Sequence, residues 1–149
     1  IPSNFAHLQI VAYLRGSDSQ LNSDVYLRFN NDSGANYDYV LQITRHNASL
    51  GTNEGVSASQ IVLGPTPAGN SPGNTFGSQK IEIPYYANTS NHKTIQSTNG
   101  FKQGTTTANF YTGSAAGWWK STAAINRVTL LPIGGNFLAG SRVTVYGLE

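Results

Sequence analysis

The 149-residue chain contains no cysteine, and only 11% of its residues are charged. The first absence excludes disulfides, zinc–thiolate sites, cysteine nucleophiles and iron–sulfur clusters, so a metal could be held only by histidine and oxygen ligands. The second is less than half of the roughly one quarter usual for globular domains. Solubility must therefore come from Ser, Thr, Asn, Gln and Gly. Basic character is also thin: the pI of about 9.0 reflects 9 Lys and Arg against 7 Asp and Glu, and no basic run exists. A nucleic-acid groove would cluster such charge on one element, so none is expected. No apolar stretch approaches the ~20 residues of a membrane helix, and no charged segment leads into an apolar one at the start. Ile1-Pro2 is not a natural start, and a preceding segment is expected.

What is present is alternation. Leu8, Ile10, Ala12 and Leu14 fall on one face of a strand, Val25, Leu27 and Phe29 on one face of a second, and Tyr37, Tyr39, Leu41 and Ile43 on one face of a third. The turn formers between Gly16 and Asp24 leave two arrangements open for the first two strands, paired directly or placed in different sheets. Shorter strands are expected at 60–63, 80–83 and around 108–111, then at 125–131 and 142–146. The last two, separated by the Gly-rich turn Pro132 to Asn136, suit an antiparallel hairpin that would place Ile125, Leu130, Val143 and Val145 in one core or interface. Pro65, Pro67 and Pro72 lack the ladder donor, so 64–74 reads as a long surface loop. With 38% hydrophobic residues, low net charge and no helical period, the whole chain, 1–149, reads as one all-β domain, a sandwich, jelly roll or barrel.

Chemistry is sparse. Gly69-Asn70-Ser71-Pro72-Gly73 matches the string of a serine-hydrolase elbow, but Pro72 follows the serine and no helix pattern follows the motif. His7, His46 and His92 lack metal-ligand spacing. The carboxylates Asp18, Asp24, Asp32, Asp38, Glu54, Glu82 and Glu149 lie mostly in turn sequences, where such groups cap backbone N–H groups. The loop Asn30 to Asn36 gathers oxygen ligands but departs from the EF-hand order, and an Asx-turn is expected there. Sequons at Asn31, Asn47 and Asn88 arise easily in such a composition and carry no glycosylation reading. No catalytic residue, metal site or cofactor is assigned. Trp118 and Trp119 must point to opposite faces of a strand, so one is a candidate outward platform and the other a core residue.

Three stretches carry a resemblance: His7 to Arg15 with Leu27 to Gly34 and Asn36-Tyr37; Ile81 to Asn88; and Ala123-Ala124-Ile125 with Asn136-Phe137, Gly140-Ser141 and Val145 to Leu148. Together they cover about half the chain, and they resemble β-rich virion proteins of tailed bacteriophages, the closing pattern looking most like the final hairpin of such proteins. The resemblance implies a jelly-roll-like antiparallel sandwich on the virion, as a head decoration protein or a tail component, often trimeric. It carries over no catalytic residue. The leading expectation is a non-enzymatic decoration or cementing protein that stabilises the head by contacts with the major capsid protein or other virion proteins. The alternative is a tail receptor-binding or carbohydrate-binding module in which the outward Trp and the 64–74 segment form the site. A closed homotrimer is expected, with Trp118 or Trp119 and Tyr146 as candidate anchors.

Overall fold

The computed structural model describes residues 1–46, 50–105 and 109–149. The sequon at Asn47 and the beginning of the strand expected around 108–111 lie outside the described residues. Among the described residues ten strands follow in order: β1 His7–Leu14, β2 Asn22–Phe29, β3 Tyr37–Arg45, β4 Gly51–Ala58, β5 Ile61–Pro67, β6 Gly77–Pro84, β7 Lys93–Lys102, β8 Phe110–Trp119, β9 Val128–Pro132 and β10 Arg142–Leu148. They form a seven-stranded sheet, β10-β1-β6-β7-β8-β3-β4, and a three-stranded sheet, β5-β2-β9. Every pairing is antiparallel. The two sheets pack as a jelly-roll-like sandwich, and the described residues include no helix.

The expected alternations are the core. Leu8, Ile10, Ala12 and Leu14 of β1 are buried against Val25, Leu27 and Phe29 of β2, so the first two strands belong to opposite sheets. Ile61, Leu63, Ile81, Ile83 and Ile95 join the same cluster. Each such aliphatic side chain contributes about 1.5–3 kcal/mol when fully buried. Close approach of the sheets requires Gly117, where a Cβ would stand 2.6 Å from Ile61 Cδ1.

The first part of the 64–74 segment corrects the reading of a surface loop, while 68–74 lies outside any strand, with Gly69, Asn70, Gly73 and Asn74 exposed. Residues 61–67 are a fully buried strand, with Pro65 opposite Asp24 and Pro67 opposite Asn22. Proline is tolerated because β5 pairs on one side only, where an edge position can spare the missing donor. Gly64 at φ +102° sits where the register shifts at Val25/Tyr26, a backbone state that favours glycine.

The expected terminal hairpin is corrected too. β9 pairs with β2 and β10 pairs with β1, in different sheets. The connection between them is long enough to cross the sandwich, and it is held on the way: Ser17 N–H donates to Asn136 O, Leu138 N–H donates to Arg15 O, and Phe137 bridges Gly16. Strand β9 begins only at Val128. Ile125 precedes it, buried in the main core with its N–H donated to Tyr86 O. Of the four residues expected to share one core or interface, Ile125 lies apart in the core, while Leu130, half-buried against that core, and Val143 and Val145, each 49% exposed, line one groove.

Candidate functional site

Most polar residues that could carry chemistry are engaged in holding the fold. Asp32 accepts hydrogen bonds from Gly34 N–H at 2.9 Å, Asn36 Nδ2 at 2.9 Å and Trp119 Nε1 at 2.7 Å. This is the expected Asx-turn, extended by the indole. Burial pushes the Asp32 carboxyl up, but these three donors outweigh it and hold the group below its ordinary range. Above the turn, Tyr37 Oη accepts from Phe29 N–H and donates to Asp32 O, while Phe29, Tyr37 and Trp119 pack as one aromatic cluster. Asn30, in the left-handed region at φ 51°, donates to Ala124 O and accepts from the N–H groups of Asn126 and Arg127. Stretches far apart in sequence are thus tied together by side-chain amides. Ser71 of the elbow-like string is buried, donating to Leu21 O at 2.6 Å, and presents no free nucleophile.

Arg15 is the least expected of these. Its guanidinium is buried and donates to the carbonyls of Gly69, Ser71, Pro72 and Thr75, with no carboxylate among its partners. One planar fork satisfies four carbonyls of the segment that follows β5, which ties that segment down. Lys93 is likewise buried, donating to Asn91 O and Thr122 O, and desolvation lowers its pKa. Among the described residues no cluster of three or more His, Asp or Glu is placed to hold a metal.

The candidate anchors separate. Trp119, 3% exposed, is a core residue bonded to Asp32 and cannot serve as an anchor. Trp118 is 39% exposed and lies tilted against His92 at 5.3 Å. Tyr146 is 48% exposed on β10, four strand positions from Trp118 on β8, about 19 Å at the usual spacing of ~4.8 Å. The two do not form one site. The 64–74 segment lies beside Ser17, Asp18 and Leu21, beyond the Leu14–Gly77 end of the β1–β6 ladder. Trp118 is paired with Asp38 and Thr94 at the other end of the large sheet. A site combining the outward Trp with that segment is therefore not assembled.

Two surfaces remain. The first is the side of the sandwich between β9 and β10. Each is an edge strand with one ladder partner, and among the described residues no side chain bonds to the backbone of either. Between them Ile10, Val128, Leu130, Phe137, Val143 and Val145 line a groove of about 350 Å³, with Arg127 the one charged residue of its lining. The second is the outer face of the large sheet, where cross-strand partners stand in rows. One row runs Gln9, Glu82, Gln96, Ala116, Val40, and the next runs Val11, Lys80, Thr98, Ser114, Gln42. Side chains on β8 are short in both rows, while those on β3 and β6 are longer. The result is a hollow of about 310 Å³ above β7 and β8. A second hollow of about 510 Å³ shares Glu82, Gln96 and Ala116 with it and reaches His7, Pro84, Thr94 and Leu148.

No protein-family model matches the chain, and searches of curated proteins and of solved structures find no match. The surfaces must be read on their own chemistry. Alternation in the sequence could have exposed the outer-face rows, since Thr94, Gln96 and Thr98 alternate with buried positions in β7. The open side had no such signal, because Val143 and Val145 look like any inward-facing pair.

Proposed function

We propose that this chain is a non-enzymatic structural protein of a tailed-phage virion, a head decoration protein that closes into trimers through the open side of its sandwich. One observation carries the reading: β9 and β10 are adjacent edges with an apolar groove between them, and the groups there that could blunt an edge, Pro132 and Arg142, stand only at the strand ends. Sheet edges in proteins that stay apart are commonly blunted by proline, charge or bulges. Here β5 has its prolines, and β4 has Glu54 and a register shift against β3, with Ser57 at φ 53° bonded to Asp38. On β10 both faces carry apolar groups, Val143 and Val145 inward, Tyr146 and Leu148 outward. A mostly apolar edge surface of this kind, with Arg127 its one charged lining residue, favours a second copy as occupant, and a closed ring avoids open polymerisation. The sequence resemblance supports a position on a phage particle, with the major capsid protein as the proposed further partner.

Sedimentation equilibrium over a hundredfold concentration range tests the assembly. The wild-type chain is expected at three times 15.9 kDa, and Val145→Lys, which puts a charge into the groove, at the monomer mass with an unchanged far-UV spectrum. A wild-type monomer throughout overturns the trimer. Labelled copies are expected on the head of the particle; a label confined to the tail overturns the placement.

A further inference from the structure

We infer that the outer face of the large sheet is a binding groove for a neutral glycan chain, separate from the assembly surface and independent of it. The two hollows share Glu82, Gln96 and Ala116, so they form one trough, with volumes of about 310 and 510 Å³ in its two parts. Each is within the range of about 300–1,000 Å³ typical of ligand sites. The floor is made of β7 and β8, with short side chains on β8, and the walls come from β3 and β6.

The lining specifies the ligand class. Gln42, Gln96, Thr98 and Ser114 offer amide and hydroxyl groups that both donate and accept, the complement of sugar hydroxyls. The charged side chains of the trough, Lys80 and Glu82, are paired with each other at 2.6 Å, so the surface asks for no ligand charge. An acidic or basic polymer would have to break that pair. Apolar contact is supplied by Ala116 and Val40 in the trough, and by Trp118 two residues beyond Ala116 on the same face of β8. An exposed indole is a flat apolar platform with one polar edge, which suits the face of a pyranose ring. At the far rim, His7 accepts from Tyr85 N–H at 3.2 Å with its ring edge-on to Tyr85. Tyr85 is held at φ 46° and is 67% exposed. A bulky residue kept in the left-handed region is strained, and such residues concentrate at ligand clamps. That second aromatic group marks the trough as longer than one sugar ring.

The test uses the intact chain, titrated calorimetrically and by tryptophan fluorescence. The probes are cellohexaose, chitohexaose, maltohexaose, an α-1,6-mannohexaose and delipidated bacterial O-polysaccharide. At least one probe is expected to bind with a Kd between about 10 µM and 1 mM. Trp118→Ala should weaken that binding at least tenfold. Ser114→Arg, which fills the floor and leaves Trp118 in place, should abolish it, while both variants keep the wild-type far-UV spectrum. Val145→Lys should bind as the wild type does, which separates this site from the assembly surface. No binding of any probe at 10 mM overturns the proposal. So does binding that both groove variants retain.

Discussion

The two long sides of the sandwich are finished differently, and the contrast separates what holds this chain together from what it offers to others. On the closed side β5 runs buried against β3, β6, β7 and β8. Its prolines remove two donors, Asn99 Nδ2 and Gln79 Nε2 donate to the carbonyls of Pro65 and Leu63, and Thr66 Oγ1 donates to Leu14 O. An edge strand is there satisfied by side chains of the facing sheet. On the open side β9 and β10 receive no such bonds from the described residues, and apolar groups line the gap. The same chain thus shows how an edge is sealed and what one looks like when it is left available.

The sharpest way to break the comparison is to remove packing from each side. Ile61→Ala on the closed side, where the side chain is fully buried, should cost about 3–5 kcal/mol, the upper part of the range for such truncations. Val145→Ala on the open side should cost less than about 1 kcal/mol at concentrations where the chain is monomeric, because half of the residue already faces water. Urea titration gives both values. Equal losses would mean that the open side is packed in the monomer and is no assembly surface.

Next in size is the clamp that continues the closed side. Arg15→Leu removes the donor to four carbonyls and should cost about 2–3 kcal/mol, the worth of hydrogen bonds to a charged group. Arg15→Lys should recover little of it, since an ammonium cannot reproduce the planar fork. Proteolysis within 69–75 should become faster in both variants. Unchanged cleavage would show that the segment is held by its own turns.

How the closed side was built is also where the sequence was hardest to read. Strands β1, β2 and β3 were legible because apolar and polar residues alternate in them. Strand β5 was not, because Gly64, Pro65 and Pro67 are loop residues by every local rule, and only the one-sided pairing and the bulge make room for them. In β7 the inward positions Ser97 and Asn99 are polar, so the period broke where Asn99 was needed to cap β5. Strand β4, an exposed edge with two glycines, has no apolar face to announce it. Trp118 and Trp119 were read correctly as outward and inward in either order, but nothing local pointed to Asp32 as the indole's partner. The open side was misread for the opposite reason: β9 and β10 have good strand patterns, and neighbouring strands usually pair. Their separation into two sheets depends on Phe137 and Leu138 docking onto Gly16 and Arg15, contacts across more than 120 positions.

The smallest expected effect concerns a cost of sealing β5. Asp24 stands across the ladder from Pro65, and among the described residues no donor reaches its carboxylate. Burial pushes the Asp24 carboxyl up, and its charge in turn raises the phenols of Tyr26 and Tyr39, each already raised by its own burial. The folded chain therefore holds this proton more tightly than the unfolded chain. Stability from Asp24 is greatest below the unfolded carboxylate value, about 3.9, falls as pH rises through the window up to the raised folded value, and stays at its reduced level above it. Asp32 and Asp38 run the other way, since hydrogen bonds hold both below their ordinary values, and their contribution is lost as pH falls through those lowered values. Asp24→Asn isolates the first effect from the second. The variant should melt slightly above the wild type at pH 7, and the difference should vanish as the wild-type carboxyl becomes protonated on acidification. Thermal unfolding of both proteins from pH 3 to pH 8 gives the comparison. A variant that melts below the wild type at pH 7 would show that the carboxylate has a partner, and that the closed edge is sealed without leaving a charge behind.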